Sequence, residues 1–126
     1  MSTEENENVI FRWFDAVNKG DVPLLEQLAD ELFTADFMEH DPRMPEFEPG
    51  PAGIRNLVHQ IREEYTGIHA TVHDIFSHED KVAYRFTLSM VDITSGEPVN
   101  VQLLAIARFA GGQMAEEWQL GVRGKW

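Results

Sequence analysis

His40-Asp41-Pro42 sets an imidazole beside a carboxyl, immediately before a proline that pulls Asp41 out of helical conformation. In an extended segment neighbouring side chains point to opposite sides, so one of the two enters any interior space. The alternative is that both are structural, with Asp41 capping the turn at Pro42 and His40 a hydrogen-bonded wall residue. Glu116 and Trp118 lie two apart in a strand-like stretch and share a face. On an inner face Glu116 is an acid against an aromatic wall; on an outer face it pairs with Arg108 across the Gly111-Gly112 turn. A carboxyl in apolar surroundings has its pKa raised toward neutrality and works there as a base. Such a base removes a proton alpha to a carbonyl while a donor opposite stabilises the enolate oxygen. Intramolecular aldol closure and double-bond isomerisation both need that pair. His40, Asp41 and Glu116 are therefore the catalytic candidates. Arg85 alternates with Tyr84 and Phe86 and either polarises a ligand carbonyl or forms a cross-strand ion pair. Arg55 and His59 are four apart on one helix face, at a pocket rim or in solvent. Trp13, Phe37 and Trp118 belong first to the core, and those that line a cavity favour a flat apolar or aromatic ligand.

Other chemistries lack their residues. Cysteine is absent, which excludes disulfides, thiol nucleophiles and Cys-ligated zinc and fits the cytoplasm. His69 and His73 share a strand face and His78 sits at a turn, without the spacing of three convergent ligands, so no metal is expected. There is no Gly-x-Ser-x-Gly elbow, phosphate loop or dinucleotide fingerprint, and no cofactor is expected. Lys plus Arg number 10 against 22 Asp plus Glu, a net charge of -12 that disfavours nucleic acid and anionic membranes as partners. No apolar run approaches the ~20 residues of a membrane span. Met1 to Asn6 is acidic where a signal peptide is basic and then apolar, so export is not expected.

The elements that must position these residues read as helices first and strands after, in one domain over 1–126. A first helix starts at a Ser2/Glu5 capping box, carries Ile10, Trp13, Phe14 and Val17 on one face, and stops at Gly20. Asp21 caps a second, with Pro23 in its first turn and Leu24, Leu25, Leu28, Leu32 and Phe33 as its buried stripe. A short extended piece over Phe37–Pro42 and a proline-rich loop lead to a third helix from Pro51 to about Tyr65. Four strands follow: His69–Ser77, Lys81–Ile93, Val99–Phe109 and Met114 to about Val122. Short turns between them imply an antiparallel meander and an α+β fold. Leu103–Ala107 is apolar at both parities, which calls for cover on both faces, from a second subunit or from a fully buried central position.

These residues resemble a known family. Asn18-Lys19-Gly20-Asp21, Glu39-His40-Asp41-Pro42, Gly53-Ile54-Arg55, Ile61-Arg62, Asp80 to Thr87 and Gly111 to Trp118 follow in the order of the SnoaL-like polyketide cyclases. That family lies in the nuclear-transport-factor-2-like superfamily with ketosteroid isomerase. The resemblance implies three helices packed in the concave face of a curved four-stranded sheet, a cone-shaped α+β barrel. It also implies an apolar pocket for a small apolar or aromatic carbonyl ligand, and a homodimer through the sheet. It aligns Asp41 with the isomerase base, whereas the cyclase pattern favours His40. Two departures stand out: Thr66-Gly67 occupies a Pro-Asp position, and Gln119 to Arg123 holds no counterpart of the cyclases' last-strand aspartate. Two functions stay open. One is a cofactor-free cyclase or isomerase; the other is a non-catalytic module that binds a small molecule or dimerises.

Overall fold

The computed structural model describes residues 2–126. Helix α1 (Thr3–Lys19) starts where the Ser2 hydroxyl accepts the Glu5 N–H at 3.1 Å, and it ends on Gly20 in left-handed conformation. Helix α2 (Val22–Leu32) is capped by Asp21, whose carboxylate accepts the Leu24 N–H at 3.1 Å. No loop follows it: the chain turns extended at Phe33 and enters β1 (Phe33–His40) directly. Helix α3 (Pro51–Glu64) begins at a proline and passes as abruptly into β2 (Tyr65–His78). Strands β3 (Lys81–Asp92), β4 (Pro98–Ala110) and β5 (Gln113–Arg123) complete the chain.

The sheet has five strands in the order β1-β5-β4-β3-β2. The meander β2 to β5 is antiparallel throughout. The fifth strand is β1, which pairs in parallel with β5 and makes the sheet mixed. Phe33 thus opens a strand instead of ending the second helix. Its apolar side chain fits the stripe of α2 as well as it fits β1, and parallel pairing across a long separation leaves no turn residues to reveal it. Similarly, β2 begins at Tyr65 and not at His69.

The curved sheet folds its inner face over the helices. On β4 the inner residues Val99, Val101, Leu103, Ala105, Ala107 and Phe109 are all buried, and they join Ile10, Leu25, Leu28, Ile54 and Phe86 in one continuous core. The outer face is different. Leu104 and Ile106 of β4 and Trp118, Leu120 and Val122 of β5 are 41–71 % exposed, so this chain alone does not cover them.

The loop between β1 and α3 is pinned to the sheet. Gly50, at φ 82°, donates its N–H to the Phe37 carbonyl at 2.7 Å and lies too close to Ala35 for any side chain.

Candidate functional site

Strand alternation decides which acids reach the interior. On β1, Phe37 and Glu39 point inward and are buried, and His40 points out. On β5, Glu117 points inward between Glu116 and Trp118, which face out. Glu39 and Glu117 are opposite one another in the β1–β5 register, so two carboxyls share one spot on the inner face. Both are 5 % exposed. Tyr84 of β3, also buried, donates its hydroxyl to Glu117 Oε2.

The three groups stand at the floor of a cavity of about 130 Å³. Buried Leu25, Phe33, Ile54, Phe86 and Met114 form its lower wall. Half-buried Trp13, Phe14, Leu57, Ile61, Arg62 and Leu88 form its rim. The aromatic side is closely packed: Trp13 meets Phe33 edge-on at 5.1 Å between centroids, and Phe14 lies 4.9 Å from Phe86.

Burial is the main cause that raises the Glu39 pKa, and the negative charge of Glu117 and a hydrogen bond to it push it further. Glu39 therefore keeps its proton at neutral pH and donates it to Glu117. Burial also raises Glu117, while the hydrogen bonds from Glu39 and Tyr84 pull in the other direction. Tyr84 is raised well above the usual phenol value by burial and by Glu117. The cluster is thus one carboxylate held by two acidic donors in apolar surroundings. The second oxygen of Glu39, Oε2, is buried without a hydrogen-bond partner.

Asp41 lies beside this cluster in a different state. Its side chain is fully buried, and burial by itself would raise its pKa. Arg43 outweighs that, with Nη2 at 2.7 Å, Nε at 3.1 Å and its backbone N–H at 2.9 Å. Gln119 Nε2 adds a fourth bond at 3.0 Å, so Asp41 is held below the usual carboxylate range. Gly121 makes room for this clamp, because a Cβ there would sit 2.7 Å from the Arg43 guanidinium.

Of the residues singled out in the sequence, Trp13 lines the cavity and the others lie elsewhere. His40 stacks on Trp118 at 5.5 Å and bonds Glu116 at 2.7 Å, all on the outer sheet face. Glu116 also accepts Arg108 at 3.3 Å, the cross-hairpin pairing that an outward Glu116 implies, and its pKa is lowered chiefly by the His40 bond. Arg85 pairs with Asp74 at 2.7 Å across β2 and β3. Arg55 pairs with Asp30 at 2.5 Å and His59 with Glu26 at 2.9 Å, which ties α3 to α2. Phe37 is wholly buried between Phe33 and Phe47. Sequence reasoning missed Glu39, Glu117 and Tyr84. Parity with Phe37 would have found Glu39, and Tyr84 stood in the apolar row of β3. Nothing local marked Glu117, because Met114 and Ala115 are both buried and the alternation restarts there.

Similarity to known proteins agrees with this architecture. Residues 10–117 match the model of the SnoaL-like domain. TsrD from Streptomyces laurentii superposes with a TM-score of 0.82 at 20 % identity, over 96 % of this chain and 90 % of that one. IdmH from Streptomyces antibioticus, named as a candidate polyketide cyclase, gives 0.75 at 23 % identity over 92 % and 91 %. A protein of ketosteroid isomerase-like fold from Catenulispora acidiphila DSM 44928, solved with trimethylamine, gives 0.75 at 16 % identity over 88 % and 82 %. No curated protein matches the sequence closely enough to establish kinship. With its three helices inside a curved sheet and a match over most of its length, the chain belongs to the SnoaL-like family.

Proposed function

We propose that the protein is a cofactor-free acid–base enzyme acting alpha to a carbonyl, with Glu117 as base and Tyr84 and Glu39 as proton donors. The observation that carries this reading is the buried carboxyl pair with its tyrosine on the floor of an apolar cavity. Glu117 takes the proton from the carbon next to the carbonyl, and the electron pair moves onto the carbonyl oxygen. Once protonated, Glu117 no longer competes for both donors, so the Tyr84 hydroxyl or the Glu39 carboxyl turns to the enolate oxygen. The enolate carbon then either attacks a second carbonyl of the same molecule or takes the proton back at another position. In the first case a C–C bond forms and the new alkoxide recovers the proton from Glu117. In the second a double bond moves. Apolar walls keep water from competing for the base.

The test is proton exchange. Compact cyclic ketones and 1,3-diketones incubated in D2O with the protein should gain deuterium alpha to the carbonyl, followed by NMR. Glu117→Gln should lower the rate at least about 100-fold with the fold intact, and Tyr84→Phe about 10-fold or more. Exchange that survives Glu117→Gln would sink the assignment.

One feature favours a passive receptor as the second reading: Tyr84 and Glu39 both commit their protons to Glu117. That reading expects binding of the same ketones with no exchange. In either case the exposed apolar outer face supports a homodimer through the sheet. Among the described residues no helix is long and apolar enough to cross a membrane. The cysteine-free, acidic chain suits the reducing cytoplasm.

A further inference from the structure

The structure assigns a ligand class to the cavity: a compact, single-ring carbonyl compound that carries one anionic group, held by Arg62 at the mouth. This rests on the acid–base reading of the floor. Size comes first. A cavity of about 130 Å³ is comparable to the ~150 Å³ apolar cavities that take up benzene, so one ring fills it. Charge comes second. The chain has seven arginines. Arg12, Arg43, Arg55, Arg85 and Arg108 each pair with a carboxylate. Arg123 donates to the Tyr65 hydroxyl at 2.8 Å. Among the described residues, Arg62 has neither an ion-pair nor a hydrogen-bond partner, in a chain with 22 acidic side chains.

Its position explains what it is free to do. Arg62 lies in the last turn of α3, where helix carbonyls favour a cation. That accounts for a positive charge on this turn but not for its place in the lining of an apolar cavity. It is half-buried, so its stem packs on the rim while its guanidinium fork remains able to take a carboxylate in two parallel bonds. The cavity is then polarised from end to end, with a cation at the mouth and a carboxylate on the floor. An anionic ligand entering charge-first would meet Glu117; entering ring-first, it leaves its charge on Arg62 and brings its far end to Glu117 and Tyr84. One pair of opposite charges thus selects the ligand and sets its direction.

The probes are phenylacetate and phenylacetamide, which share a ring and differ by one charge, titrated calorimetrically into the purified protein. Phenylacetate should bind at least about tenfold more tightly, and Arg62→Gln should bring the two to parity. Arg62→Lys should restore part of the preference, since a point charge replaces the fork. Equal affinities, no binding of either probe, or a preference that survives Arg62→Gln would overturn the inference. The readout is independent of turnover. A charge preference without deuterium exchange would fail the catalytic reading alone, and exchange without the preference would fail this one alone.

Discussion

A carboxyl that stays protonated at neutral pH makes the folded state hold a proton that the unfolded chain has released. Glu39 is in that position, and its raised pKa has a direct thermodynamic sign. Unfolded, the group titrates near its usual 4.5; folded, it titrates far higher. Stability from this group is complete below the lower value and is lost as pH rises toward the upper one. Glu117, raised for the same reason of burial, acts in the same direction. Glu39→Gln keeps the donor to Glu117 and removes the titration. Its melting temperature should exceed that of the parent by about 3–5 °C at pH 8, and the gap should close near pH 4. A gap independent of pH would show that Glu39 is not the proton-holding partner. Asp41 works in reverse, because its pKa is lowered: its contribution exists above the usual carboxylate value and disappears as pH falls through the folded one. The same chemistry type therefore appears twice within a few residues with opposite consequences, and only Arg43 and Gln119 separate them.

At the scale of elements, the clamp on Asp41 depends on a loop crossing β5 at Gly121. Gly121→Ala would push the Arg43 guanidinium aside and should cost about 1–3 kcal/mol by leaving a buried carboxylate short of partners. The same loss should follow from Arg43→Ala, and the double variant should be no worse than either single one. Additive losses in denaturant titrations would disprove the link. The helices show how much of this architecture was legible. Ser2, Gly20, Asp21 and Pro51 are local punctuation, and each cap acts on the chain within a few residues. The meander was legible for the same reason, since tight turns join its strands. Strand β1 was not. Its partner lies roughly eighty residues away, and parallel pairing needs no local turn. The site shared that fate, because its two acids meet only across this pairing. His40 and Asp41 looked like the chemistry because their types are reactive, but side-chain parity, set by Phe37, directed their neighbour inward.

For the whole molecule, the outer sheet face is the large feature left without cover. Leu104, Ile106, Leu120 and Val122 form a contiguous apolar patch around Trp118. A second copy seated there should make the protein a dimer by light scattering at micromolar concentration. Ile106→Glu with Leu120→Glu should yield a monomer with an unchanged far-ultraviolet spectrum; a parent that is already monomeric would refute the assembly. A dimer would also enclose the His40–Glu116 ion pair at the edge of the contact.

The seam between β1 and β5 has a last consequence. Every other strand pair in the sheet is stapled by a short turn, whereas this one is tied only through most of the chain, so closing it carries the largest entropy loss. It is also where two acids are pressed together, so alkali should loosen it ahead of the meander. Making the seam indifferent to alkali would mean replacing one of those acids, and with it the poised proton that any reaction here would draw upon.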